Sequence, residues 1–209
     1  MKKSKTKGTR ILQKLILPIN KSKLTASART AAYRQRFGFS HYGVDMVSTS
    51  LSKTVWGSGD GVVLSAGYDN VFGNCICVLY KGVYNHKTKK EKDVVLRYFH
   101  LKSIAVKVGD KVDINTRLGV YGNTGKYSTG AHLHVTCDED TKYFNYEPGL
   151  KQSSNLIKKG NDKTVINPMQ VFHKKITPPE KQTVSGDFKS SFNSLLYVKK
   201  EDVNLPSVD

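Results

Sequence analysis

The chain has 209 residues, 38% of them hydrophobic and 10% aromatic, and its 34 Lys and Arg against 17 Asp and Glu leave a formal net charge of +17. This length supports one well-packed domain with extensions and argues against two large domains. The best apolar run, Ile11 to Ile19, is interrupted by polar residues and a proline and falls short of the ~20 residues that cross a bilayer, which excludes a transmembrane helix.

The positive charge favours polyanionic partners, because it attracts them through a long-range, salt-dependent force. The basic residues are spread over both tails and the loops, without an Arg-rich helix or a base-stacking aromatic motif. Specific nucleic-acid recognition is therefore not expected. Anionic lipids and anionic wall polymers stay open as partners, and a solvated surface that is simply kept soluble by its charge explains the composition equally well.

Residues 1–25 are predicted to form a basic N-terminal extension. The first ten residues have the basic character of the n-region of a signal peptide. The interrupted apolar run and the lack of a small-residue cleavage site after it argue against a conventional secretion signal.

Residues 26–173 carry short β-rich runs separated by glycines, and segments with helical periodicity are nearly absent. The pattern predicts an all-β domain, an antiparallel sheet or sandwich, with irregular N- and C-terminal extensions. Two polar insertions interrupt it. Lys81 to Lys92 is predicted to be a hairpin extension with Asn85-His86-Lys87 at its tip, and Asp138 to Lys163 a long loop of the kind that shapes binding clefts.

Residues 174–209 are predicted to be a C-terminal linker and tail rather than a second domain. Pro178-Pro179 opens this segment and polar residues follow. Its one apolar cluster, Phe192 to Val198, indicates a short docking strand or helix.

Three cysteines cannot form a closed set of disulfides. Cys75 and Cys77 lie two apart in a predicted strand, so they share a face and are badly placed to bridge each other. Cys137 has no nearby Cys or His beyond the histidines considered below. All three are predicted to be buried free thiols.

Histidines and an aspartate supply the chemistry-bearing pattern. His41 and Asp45 lie four positions apart around a glycine, and on a loop such a spacing lets both side chains converge on one ion. His132 and His134 belong to a predicted strand, whose period of two sends both imidazoles to one face. Zinc in a catalytic site takes three nitrogen or oxygen ligands and leaves a fourth position open, so two histidines and one carboxylate suffice.

A further histidine, His100, ends a predicted strand and is expected to face a groove. His86 lies in the charged insertion and His173 at the end of the domain, and neither is expected to take part in the site. A single histidine would be interpreted as a surface or core residue. Four histidines in three separate β contexts, two of them paired, favour a functional site.

The order of these motifs resembles the lysostaphin and LytM family of zinc endopeptidases. The resemblance runs from about residue 26 to residue 173, and one departure is Ala131, which stands where the family usually has proline. The motifs that carry it are His41-x-Gly43-x-Asp45, Tyr98-Phe99-His100-Leu101, Gly122-Asn123-Thr124-Gly125, Gly130-Ala131-His132-Leu133-His134 and Asn167-Pro168.

The resemblance implies an open groove that holds one zinc ion, with His41, Asp45 and His134 as the metal ligands. It further implies that His132 is the general base, and that His100 orients or stabilises the developing oxyanion. The implied reaction is hydrolysis of peptide bonds in bacterial peptidoglycan, in stem peptides or cross-bridges, during wall lysis or remodelling. Residues that bind the substrate are not assigned.

Three other functions stay open. A catalytically inactive relative could serve as a cell-wall-binding, activating or structural module, although such copies generally lose ligands and this chain keeps all five site residues. Val106 to Val112 resembles the hairpins of lipoyl and biotinyl carrier domains, but Gly122 to Lys126 does not supply the lysine at a hairpin tip that such carriers need. A basic structural protein that binds nucleic acid would show steep salt dependence and no metal requirement.

The expected location is the bacterial cell wall or the extracellular space, with peptidoglycan and anionic wall polymers as partners. Without an evident export signal, the sequence favours delivery by phage lysis, on a virion, or in a secretion assembly, and therefore a virion or cell-envelope assembly partner. Three unpaired cysteines suit a protein that is made and stored in the cytoplasm.

Overall fold

In the computed structural model of the protein, residues 12–173 and 185–186 are described, and the elements below all belong to these ranges. A seven-residue helix α1 (Ala31–Phe37) and a short 3-10 helix (Pro168–Gln170) accompany the strands. The strands are β1 (Leu15–Ile16), β2 (Ser22–Ala26), β3 (Val44–Ser48), β4 (Thr54–Trp56), β5 (Gly61–Asp69), β6 (Gly73–Asn85), β7 (Lys90–Ile104), β8 (Lys111–Val112), β9 (Arg117–Tyr121), β10 (Leu133–Asp138), β11 (Tyr146–Glu147), β12 (Lys158–Lys159), β13 (Val165–Ile166), β14 (Phe172–His173) and β15 (Ser185–Gly186).

Eleven of the described strands form one sheet, in the order β15-β2-β3-β10-β7-β6-β5-β8, with β13 on β10, β9 on β7 and β4 on β9. All of these pairings are antiparallel except β15 with β2. The small pairs β1-β14 and β11-β12 are parallel. The predicted all-β, mostly antiparallel fold is confirmed. No helix within the described residues is long and apolar enough to span a membrane.

Apolar side chains on both faces of the central strands are buried. The larger cluster includes Ile76, Val78, Leu96 and Leu133. A smaller cluster on the other side of β6 and β7 contains Cys75 and Cys77. Both of these thiols and Cys137 are buried and free, as predicted, and burial raises the pKa of each.

The N-terminal region differs from its prediction, because its described part is packed rather than an irregular extension. Strand β1 pairs with β14, and β2 pairs with β3 at one side of the large sheet. Leu15, Leu17, Ile19 and Leu24 are each no more than 1% exposed and belong to the large core cluster. The apolar run that is too broken to cross a membrane therefore supplies core side chains from ahead of residue 26.

The two polar insertions have different structures. Lys81 to Lys92 is the predicted hairpin, formed by the ends of β6 and β7, and the Asn85 side chain accepts two backbone N–H groups of its turn. The segment Asp138 to Lys163 contains β11 and β12 and buries Leu150 and Ile157 in the smaller cluster. It is therefore anchored to the domain.

His86 and His173 contact each other at the end of that hairpin, with ring centroids 3.6 Å apart. Neither residue lines the pocket around the predicted site. Burial lowers the pKa of His86 to about 4 and that of His173 to about 2, and the neighbouring His86 lowers the latter further.

This pair predicts how stability depends on pH. The unfolded chain protonates both rings below about pH 6.5, whereas the folded protein keeps them neutral, so the free energy of unfolding is expected to fall from pH 6.5 towards pH 4. Each ring contributes a slope of up to about 1.4 kcal/mol per pH unit, and the contribution is fully present above pH 6.5. Urea unfolding of the wild type and of His86→Gln at several pH values between 4 and 6.5 measures how the free energy of unfolding depends on pH. The variant is expected to show a shallower slope, and identical slopes would contradict the assignment.

Candidate metal centre

Strands β3 and β10 bring Asp45 and His134 together, because the two residues are direct partners in the antiparallel register. His41 lies in the loop between α1 and β3. Gly43 lets this loop approach β10 closely, since a Cβ there would lie 2.3 Å from the carbonyl oxygen of Val135 and 2.8 Å from Cε1 of His134. The glycine between His41 and Asp45 is therefore required by the approach of two backbones.

Three ligand atoms converge at this point. Nδ1 of His134 lies 2.7 Å from Oδ1 of Asp45 and 2.9 Å from Nε2 of His41, and the same Nε2 lies 3.1 Å from that carboxylate oxygen. Ligands of a tetrahedral zinc ion would be separated by about 3.3 Å, so small outward shifts accommodate one ion. His41, Asp45 and His134 are the one group of three or more such side chains within the described residues that could hold a metal ion.

Backbone carbonyl groups fix the tautomers of three site histidines. Nδ1 of His41 lies 3.1 Å from the carbonyl oxygen of Ser27, and Nδ1 of His132 lies 2.7 Å from that of Gly130. Nδ1 of His100 lies 2.9 Å from the carbonyl oxygen of Thr124. Because a carbonyl oxygen can only accept, each Nδ1 must donate its proton, and each neutral ring presents a lone pair at Nε2.

The charges around this cluster favour a bound cation. Burial alone would raise the pKa of Asp45, but its close contacts with His134 and His41 hold it well below its usual value. Burial lowers the pKa of His134, whereas hydrogen bonding to Asp45 outweighs burial and raises that of His41. A buried carboxylate beside two imidazoles fits the donor set that zinc prefers.

His132 and His100 lie beside the three ligands. Nε2 of His132 is 3.6 Å from Oδ1 of Asp45, and the His100 ring centroid lies 4.9 Å from that of His132 and 5.9 Å from that of His134. Burial and the neighbouring imidazoles lower the pKa of His100 to about 3. The structure thus brings all five predicted residues into one pocket.

His100 reaches this position through an unusual backbone conformation. Its φ is +63°, in the left-handed region, which costs about 1–3 kcal/mol for a residue other than glycine. Here the register of β7 against β6 and β9 shifts, and the His100 N–H donates to the carbonyl of Phe72 while its own carbonyl accepts from Gly122. The bend redirects the ring towards β10.

A buried ionic network beside the candidate metal centre, on the same side of β10, was not predicted from the sequence. Arg97 is fully buried and donates to Asp138 at 2.7 Å, and its guanidinium lies 3.5 Å from Glu147. Thr136, two residues beyond His134 on β10, donates to Glu147 at 3.0 Å. Burial raises the pKa of Glu147 to about 7. Since Thr136 shares a strand face with His134, this network supports the strand that carries the ligand.

Helix α1 was also missed, and it supplies an aromatic wall for the pocket. Thr30 caps its start by accepting from the backbone N–H of Tyr33, and Gly38 ends it in the left-handed conformation. The Tyr33 ring stacks on His41, with centroids 4.4 Å apart and an interplanar angle of 11°. The threonine and glycine at the two ends were the available signal.

The buried cluster of two histidines and an aspartate, with two further imidazoles beside it on an antiparallel sheet, is a donor set that could hold one zinc ion. The chain belongs to peptidase family M23, whose family model matches residues 39–146, about half of its length. The predicted resemblance to the lysostaphin and LytM family is confirmed.

Individual relatives agree with this membership. An uncharacterized metalloprotease of Buchnera aphidicola subsp. Baizongia pistaciae is 38% identical over 127 residues, which are 61% of this chain and 30% of that protein. Peptidoglycan DD-endopeptidase ShyA of Vibrio cholerae is 36% identical over 94 residues, 45% of this chain and 19% of the relative. The chain therefore spans less than a third of either relative.

Among solved structures, lysostaphin from Staphylococcus simulans superimposes with a TM-score of 0.51 and 22% identity. The match covers 93% of this chain and 59% of that one. At this identity it shows a shared fold.

Proposed function

We propose that the protein is a zinc-dependent endopeptidase that hydrolyses peptide bonds in bacterial peptidoglycan, in stem peptides or cross-bridges. The observation that carries the proposal is the convergence of Nε2 of His41, Oδ1 of Asp45 and Nδ1 of His134 beside His132 and His100. Zn²⁺, held by the first three residues, would act as a Lewis acid that polarises the scissile carbonyl and activates water near neutral pH.

His132 is the general base in this proposal. Its Nδ1–H is engaged by the carbonyl of Gly130, so Nε2, which points towards Asp45, is free to accept a proton from the attacking water. The same nitrogen can return that proton to the leaving amine. General acid-base assistance of this kind typically contributes about 10²- to 10⁴-fold to the rate.

In this proposal His100 orients a reactant and does not stabilise the oxyanion. With its proton engaged by Thr124 and its pKa lowered to about 3, the ring is neutral and offers a lone pair at Nε2. A lone pair can hold water or a substrate N–H in place, but it cannot donate to an oxyanion. Tyr33 lines the same pocket, and burial raises its pKa to about 12, so its protonated hydroxyl is a candidate donor for that oxyanion.

The proposed setting is the cell wall. The relatives include a peptidoglycan DD-endopeptidase, which supports a wall substrate, and a metalloprotease, which supports a metal-dependent reaction. The net charge of +17 supports association with anionic wall polymers. The proposal includes delivery by a phage or a secretion route, with a virion or cell-envelope assembly partner. It also assigns residues 26–173 to the peptidase unit, together with the packed strands that precede them.

The alternative is an inactive family member that binds or activates at the wall. Retention of all five site residues in one pocket favours the enzyme.

Incubation of the full chain with peptidoglycan from several bacteria, with and without a chelator, separates the two functions. Mass analysis of the soluble fragments is expected to show new peptide termini, which disappear on chelation and return when zinc is added. Hydrolysis that survives zinc removal would contradict the proposal. Binding to peptidoglycan without fragments, in zinc-loaded protein, would establish the inactive module.

A further inference from the structure

A groove of about 670 Å³ opens beside the candidate metal centre. Its walls come from the end of β2, helix α1 and residues 126–129. Tyr33, Phe39, Asp45, Tyr127 and His132 line both this groove and the smaller pocket around the metal centre. A chain that occupies the groove would therefore extend directly from the reacting bond.

One wall of the groove is aromatic and exposed. The ring of Tyr33 lies 4.5 Å from that of Phe37 and 5.7 Å from that of Phe39, and Phe39 lies 6.2 Å from Tyr127. Phe37, Phe39 and Tyr127 are 44–45% exposed. Contiguous exposed apolar surface is a recurrent feature of binding sites. It offers contact to the aliphatic parts of a ligand.

Two of the three charged residues that line the groove among the described residues are cationic. Arg36 and Lys126 are exposed and line it, and the Arg36 guanidinium lies 5.1 Å over the Phe37 ring. Neither has a carboxylate within 4 Å among the described residues. The acidic residue among the described lining residues is Asp45, which His41 and His134 already engage.

We propose that this groove selects peptides that carry a free carboxylate near the bond to be hydrolysed, with Arg36 and Lys126 as the specificity-determining residues. This inference rests on the proposed peptidase function and deepens it. Two cations with no carboxylate within 4 Å in the described part of the chain, beside a wall of low polarity, attract an anionic segment more strongly than an uncharged one. An oligoglycine cross-bridge, which has no side-chain carboxylate, would gain nothing from them.

The test compares two substrates that differ in charge alone. Cross-linked stem-peptide dimers with free carboxylates are used directly, and a second portion is converted to the carboxamides. For wild type, kcat/KM is expected to be about tenfold higher on the carboxylate form, and Arg36→Gln and Lys126→Gln are each expected to narrow that ratio about three- to fivefold. Lys107→Gln, which removes the same charge from an exposed position outside the groove, is expected to keep the wild-type ratio.

Binding is measured in parallel, so that failure of the inference and failure of the proposed function are distinguishable. In zinc-loaded His132→Ala protein, calorimetry is expected to show the same preference for the carboxylate form, which the Arg36→Gln change reduces. Equal kcat/KM for both forms in wild type, or equal narrowing by Lys107→Gln, would overturn the inference and leave the peptidase intact. Preferential binding with no hydrolysis by wild type would overturn the peptidase function alone.

Discussion

The His134→Ala variant is expected to lose both its bound zinc and its hydrolytic activity. Nδ1 of His134 is the atom nearest to both other ligand atoms, at 2.7 Å from Asp45 and 2.9 Å from His41. Its removal leaves two ligands, which is fewer than catalytic zinc sites use. The loss of affinity should exceed the ~10- to 100-fold that follows loss of a residue that only supports a ligand.

Zinc content per chain and the rate of fragment release from peptidoglycan measure the two effects. His173→Ala is the matched control, because it removes an imidazole that contacts His86 and does not line the site. This control is expected to retain one zinc ion and its activity. Zinc at wild-type stoichiometry in His134→Ala, or persistent hydrolysis, would refute the assigned ligand set.

The His132→Ala variant is expected to keep its zinc and to lose about 10²- to 10⁴-fold in kcat. His132 Nε2 lies 3.6 Å from Asp45, whereas the three ligand atoms lie within 3.1 Å of one another, so the ring stands beside the centre. The expected pattern is unchanged zinc content and an unchanged melting temperature, with a fall in turnover.

Single-turnover hydrolysis of a defined cross-linked peptide, with zinc determined on the same sample, provides this measurement. Loss of zinc in His132→Ala together with its retention in His134→Ala would show that the roles of the two histidines are exchanged. Full activity in His132→Ala would remove the general base from the proposal.

Sequence patterns located the site because they follow strand geometry. His132 and His134 had to share a face of any strand, and His41-x-Gly43-x-Asp45 combined two ligands with the one residue that permits close backbone approach. These features depend only on residues that are close in the sequence, so they hold whatever the rest of the fold is. The registers that join β3, β7 and β10 then placed the separate segments side by side.

Other features depend on partners far apart in the chain. Glu147 gave no signal in a polar segment, and its burial follows from Arg97, fifty residues earlier on a different strand. Likewise, the apolar residues of β1 are too few to predict a core strand from the sequence. Their burial depends on pairing with β14, in which Phe172 lies opposite Leu15. The predicted docking element at Phe192 to Val198 lies outside the described residues.

The hydrogen bonds from imidazole N–H groups to main-chain carbonyls bear on how this protein tolerates mutation. Every residue type carries a carbonyl, so replacing Ser27 or Gly130 by another amino acid would leave the acceptor in place as long as the loop keeps its path. Which nitrogen of a site histidine carries the proton therefore depends on the path of the main chain, so the side chains at these neighbouring positions can change without altering it.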